Sequence, residues 1–168
     1  PYGVFALMAY ISQKYGLEVM LPLAKVLIGV YLGCIVHALI TLGGTVTFVA
    51  RLNPLLFFKG IVDALSVAYS TASSSGTLPI TIRCARKNLG VSDSISSFVL
   101  PLGATINMDG TAMYQGVAAL FVAQAYGIDL ATGDYITIIL TSTLASIGSA
   151  GVPGAGLIML TLVLNSVG

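Results

Sequence analysis

Between Pro101 and Thr111 the chain reads PLGATINMDGT, which sets a carboxylate, an amide and two threonines inside an apolar region. Asp109 is the costly member, because an ionised carboxylate buried without a partner is penalised by several kcal/mol. One reading supplies the partner as a cation held by Asp109, neighbouring carbonyls and Asn107. Thr105 completes a hard oxygen set suited to a small cation. The other reading is a structural aspartate, satisfied by local hydroxyls or exposed in a loop. Met108 carries only a weak thioether acceptor, so its residue type alone points to packing. Tyr114 and Gln115 follow where a helix can resume, as groups around the site rather than ligands.

The elements that hold this stretch belong to a bilayer protein. Hydrophobic residues make up 57% of the 168 and charged residues 8%, with a mean hydropathy of +0.99. A soluble domain carries about 25% charged residues. The 19 glycines suit close packing or interruption of membrane helices. Net charge is +1 with no basic cluster, which argues against a nucleic-acid partner. Cys34 and Cys84 lack metal or redox spacing and read as packing residues. The sequence contains no HExxH, GxSxG, Walker or Rossmann pattern, so the reading is not an enzyme. His37, the sole histidine, reads as hydrogen-bonded between helices rather than as a proton carrier. The chain opens inside one hydrophobic pattern and ends inside another, and is expected to be the middle of something longer.

Apolar residues run from Pro1 to a polar boundary at SQKYGLE. Leu21 to Val49 has the length of a span, with Lys25 and Arg51 placed to snorkel. After RLNP, Leu55 to Tyr69 predicts a short amphipathic helix in which Lys59 and Asp63 support each other four residues apart. STASSSGTLP and the arm ITIRCARKNLG then suggest a re-entrant hairpin, two ordinary spans being the alternative. Arg83, Arg86 and Lys87 mark its cytoplasmic end. Ser92 and Asp93 open a span, Val91 to Gln124, broken around Asn107 to Gly110. The loop YGIDLATGDY has Asp129 and Asp134 but no lysine or arginine, which places it on the opposite side. Tyr135 to Ile147, GSAGVPGAG and Leu157 to Val167 repeat the order of arm, small-residue tip and arm. Paired discontinuous segments point to the midplane site of a secondary transporter. A channel is the second reading and a structural membrane subunit the third.

SSSGTLP at Ser73–Pro79, PLGATINMDGT at Pro101–Thr111 and ASIGSAGVPGAG at Ala145–Gly156, in that order, resemble the dicarboxylate/amino acid:cation symporter family, the glutamate transporters and their bacterial homologues. The resemblance covers nearly the whole chain. It implies an all-α membrane protein, part of a glutamate-transporter-like fold with two opposed re-entrant hairpins around an interrupted transmembrane helix. Residues 1–51 would connect scaffold and transport regions. Residues 52–168 would form the transport core, with hairpin 1 at about 52–89, the broken seventh span at about 92–125 and most of hairpin 2 at about 132–168. The N-terminal scaffold and eighth span would lie outside this chain.

The same resemblance implies a substrate set of Ser74, Thr111, Val152 and Gly156. Gly103 and Asn107 resemble part of one sodium site, and Asn107 with Asp109 a deeper one. Thr105, Met108, Ser146, Ile147 and Ser149 resemble a third, formed largely by backbone carbonyls. The implied function is sodium-coupled symport of glutamate or aspartate by elevator-type alternating access, in a homotrimer in the lipid bilayer. Symport of C4-dicarboxylates or neutral amino acids, coupled to protons or sodium, is the alternative. No organic cofactor is implied. The expected location is a multi-pass cell membrane, that of a bacterium or archaeon. Ala72 departs from members that place an arginine just before the serine run.

Overall fold

Apolar chain in a bilayer has no water to satisfy its backbone, and a helix solves that problem within one segment. The computed structural model describes residues 2–16 and 20–167, and all regular structure there is helical. Helix α1 covers Tyr2–Tyr15 and stops at Gly16, whose φ is +72°. Leu17 and Glu18, the end of the expected polar boundary, lie outside the described residues. Helix α2 covers Met20–Val36 and continues through two π-helical segments, His37–Leu42 and Thr45–Val49. From Pro22 to Val49 it is 28 residues long with a hydropathy of 2.2. That is roughly 40 Å at 1.5 Å per residue, enough for a hydrocarbon core of about 30 Å. Only 6% of its apolar window is buried in the chain, whereas the central helix of a soluble domain would be covered.

Asn53 caps α3 (Pro54–Gly60) by accepting from Leu55 N at 2.9 Å, with Pro54 in the first turn. The single helix expected over Leu55 to Tyr69 is broken at Ile61, and α4 begins at Val62 and runs to Thr71. The Gly60 carbonyl is taken by Asn88 Nδ2 at 2.7 Å, and Ile61 N turns back to Phe58 O. The break ends the helical register between Lys59 and Asp63. Asp63 pairs instead with Arg83 at 3.4 Å, across the hairpin.

Helix α5 (Ser74–Lys87) returns against α4, and α6 (Asp93–Ile106) packs on α5. Arg86 fastens the α5–α6 corner through Asp93 at 3.0 Å and Ser97 Oγ at 2.6 Å. Ser92 occupies the N-cap position of α6 without a side-chain cap bond. Helices α7 (Asp109–Ala125), α8 (Thr132–Ile147) and α9 (Ala155–Asn165) form a second packed group around Ala119, Ile138, Ala145 and Val163. At 10, 14, 16 and 11 residues, α4, α5, α8 and α9 all fall short of a full crossing.

Helix α2 lies antiparallel on α7 along a stripe of small residues. A Cβ on Gly29 would sit 3.4 Å from Val117 Cγ1, and one on Gly33 3.6 Å from Met113 Sδ. Glycines four apart let membrane helices approach this closely, where packing rather than hydrophobicity drives association. Continuing both stripes by four residues brings His37 to Asp109.

Ala72 ends α4 with φ +49°. A left-handed non-glycine residue costs about 1–2 kcal/mol, and a β-branched side chain fits there worse. Ala72→Val is therefore expected to lower the thermal unfolding midpoint and Ala72→Gly to keep or raise it. Thermal scans of the purified variants in detergent check the order; a reversed order contradicts strain at this tip.

Candidate functional site

The helical break falls at Asn107 and Met108, between the end of α6 and the start of α7. The bond from Asn107 N to Gly103 O, at 3.0 Å, closes the last turn of α6. Carbonyls beyond that point stand past the regular ladder, and the partial negative charge of the helix end gathers there. Across the break, Thr111 N and Ala112 N both bond to Met108 O, at 3.0 and 3.1 Å. Asn107 and Met108 have extended-side ψ values of 77° and 63°, which turn the chain without a glycine at either position.

The two hairpin tips meet near this break. Ser73 caps α5 by accepting from Gly76 N at 3.0 Å, and its hydroxyl donates to Gly151 O at 2.8 Å. Ser75 N donates to the same carbonyl at 3.0 Å. Gly151 is buried, and a Cβ there would lie 2.7 Å from Ser75 Oγ, 3.2 Å from Ser75 N and 3.3 Å from Ala104 O. The serine run is thus a capped helix start rather than a linker, and its tip is latched to the glycine-rich tip 78 residues away.

The expected substrate and ion residues fall into several groups. Ser74, Gly103 and Asn107 line one cleft of about 370 Å³ between the α4–α5 pair and α6, with Thr77 beside them. Thr111 lies against the first turn of α9, its Cγ2 3.3 Å from where a Cβ on Gly156 would sit. Its hydroxyl points to Met108 Sδ at 3.9 Å. The Gly156 carbonyl accepts from Gln115 Nε2 at 3.3 Å. Val152 is 52% exposed on the tip. Thr105 Oγ1 donates to Leu102 O, Ser146 Oγ to Thr143 O and Ser149 Oγ to Ala145 O. These hydroxyl protons are spent locally, while the hydroxyl lone pairs and the carbonyls at the helix ends are the oxygens suited to a cation. Ser146 and Ser149 are buried beside Ile147 at the end of α8.

Asp109 differs from the isolated buried carboxylate expected from the sequence. Its side chain is 45% exposed in this chain, and His37 Nε2 lies 3.0 Å from Oδ2. The partner comes from another helix, 72 residues away, rather than from local hydroxyls. The sequence predicts an interhelical hydrogen bond for His37 but not its acceptor; the Gly29 and Gly33 spacing that leads to it is the signal present. The Gly151 latch carries no comparable local mark, whereas Gln115, read from the sequence as a group around the site, is buried with its amide on the Gly156 carbonyl.

Among the described residues no three histidine, cysteine or acidic side chains gather in a metal-binding group. One carboxylate with an amide, hydroxyls and carbonyls fits a monovalent hard cation better than a divalent one, which draws on several carboxylates. Short helix pairs, an interrupted helix and tips joined through backbone atoms are the parts of a membrane transporter. Residues 1–168 match the family model described as Sodium:dicarboxylate symporter family. The chain belongs to that family, which is one of membrane transporters rather than enzymes.

The chain is 47% identical to an excitatory amino acid transporter of Caenorhabditis elegans over 170 residues, covering 100% of this chain and 34% of that protein. It is 49% identical to human excitatory amino acid transporter 2 over 146 residues, covering 87% of this chain and 25% of that protein. The Onchocerca volvulus excitatory amino acid transporter is 46% identical over 100% of this chain and 35% of its own length. The chain thus spans a quarter to a third of the length of these relatives. They are animal proteins, so they support a membrane location but not the expected bacterial or archaeal one.

Proposed function

We propose that the full-length protein bearing this chain is a sodium-coupled secondary symporter of acidic amino acids, glutamate or aspartate. The observation that carries this reading is the latch of Ser73 and Ser75 onto Gly151, which brings two small-residue tips together beside an interrupted helix. Relatives named excitatory amino acid transporters support the substrate class. Sodium is cargo. Asn107 and Asp109 hold one ion, Gly103 and Asn107 contribute to a second, and Thr105, Met108, Ser146, Ile147 and Ser149 surround a third.

The substrate occupies the space faced by Ser74, Thr111 and the hairpin-2 backbone at Val152 and Gly156. Cations first order the turn at Asn107–Asp109, and substrate then permits hairpin 2 to close on hairpin 1. Residues 1–51 connect scaffold and transport regions, and 52–168 form the moving core with the two hairpins entering from opposite sides. Elevator-type movement within a homotrimer completes the cycle.

Uptake into proteoliposomes tests this directly, with the full-length protein, an inward sodium gradient and labelled L-aspartate, L-glutamate, L-serine and succinate. Accumulation of the acidic amino acids that collapses without the gradient is expected. Uptake driven only by a pH gradient, or confined to serine or succinate, overturns the proposed coupling or substrate class.

A further inference from the structure

His37 is the single group that reaches the Asp109 carboxylate from outside its own helix among the described hydrogen bonds and ion pairs. We infer that His37 is the positioning residue for the Asp109 carboxylate, fixing the oxygen that it presents to sodium; this rests on the sodium-coupled reading above. An ionised carboxylate only accepts, so the 3.0 Å contact makes Nε2 the donor and Oδ2 the acceptor. The carboxylate keeps Oδ1 and the remaining lone pairs for a cation. Without His37 the side chain turns freely about χ1 and χ2, and ion binding must then supply the ordering that the imidazole provides in advance.

The geometry behind this contact is built into the helix pair. Gly29 against Val117, Gly33 against Met113 and His37 against Asp109 are successive steps of four residues on two antiparallel helices. The two glycines set the close approach, and the third step delivers the imidazole to the carboxylate. His37 also begins the first π-helical segment of α2. Such turns are rare and recur at functional sites, since they change the phase of the side chains that follow. Hydrogen-bond partners of metal-ligating side chains tune affinity by about 10–100-fold.

The test is sodium binding to the purified full-length protein, measured by radioactive sodium without transport. His37→Ala and His37→Phe remove the donor, the second keeping the ring's bulk, while His37→Gln supplies an amide N–H. The first two are expected to weaken sodium binding about 10–100-fold, with His37→Gln recovering most of the loss. Substrate affinity at saturating sodium is expected to stay near wild type in all three. Wild-type sodium affinity in both donor-less variants overturns the positioning role, as does a His37→Gln protein as weak as His37→Ala. If the unaltered protein binds no sodium, the proposed function fails and this inference fails with it; the wild-type control separates the two cases.

Discussion

Asp109→Asn is expected to reduce sodium affinity by more than about 100-fold, beyond the loss that removal of an outer partner such as His37 produces. The substitution keeps the size of the side chain and its hydrogen bond to His37 within reach, but it removes the one negative charge at the break between α6 and α7. In a site otherwise made of neutral oxygens, that charge supplies most of the attraction for a monovalent ion, and low surrounding dielectric enlarges it. The helix itself should tolerate asparagine: Asp109 sits in the first turn of α7, half-exposed in this chain. Membrane insertion and yield are therefore expected to match wild type while sodium-driven uptake is lost. Uptake by the purified variant with an unchanged sodium dependence would contradict a cation at Asp109.

Gly151→Ala is expected to unlatch the hairpin tips. The added methyl would meet Ser75 Oγ at 2.7 Å, which can rotate away, but also Ser75 N at 3.2 Å and Ala104 O at 3.3 Å. The last two are backbone atoms held by helix starts and ends, so the tip of hairpin 2 must retreat. Both bonds to the Gly151 carbonyl weaken as it does. At about 1 kcal/mol each, their loss shifts the closed-to-open ratio by roughly 30-fold. Cysteines placed on the two tips should crosslink more slowly in the Gly151→Ala background, and substrate affinity should fall by a comparable factor. Ser75→Ala supplies the contrast: it removes the flexible hydroxyl but keeps the backbone donor, so crosslinking is expected to stay near wild type. Equal crosslinking in wild type and Gly151→Ala would show that the tips do not depend on this approach.

What could be read from the sequence was whatever acts over one or two turns of chain. The break at Asn107–Met108, the short arms on either side of Ser73 and Gly151, and the span ending near Val49 all follow from local apolar length and local interruption. The family motifs likewise pointed to the region where the tips meet. Features set by packing between distant segments were less visible. The Lys59–Asp63 spacing looked like a helical pair, yet Gly60 gives its carbonyl to Asn88 and ends that helix first. His37 and Asp109 needed the Gly29–Gly33 register to be carried onto another helix before they could be paired. Gly151 is one glycine among several in its stretch, and only the fold shows which carbonyl receives two donors. The exposure of Asp109 belongs with these, because burial depends on chain that lies around it and not on the residues beside it.

Sodium-coupled symport requires ion and substrate to share one coupled site at the broken helix and the latched tips. Its most direct test is a reciprocal binding measurement on the full-length protein in detergent, by calorimetry or radioligand. L-aspartate affinity is measured across a sodium series, and sodium affinity with and without saturating L-aspartate. Linkage requires one coupling free energy read from either side. Sodium is expected to strengthen aspartate binding and, for each ion linked, aspartate to strengthen sodium binding by the same factor. Aspartate binding that is unchanged from zero to saturating sodium would contradict it.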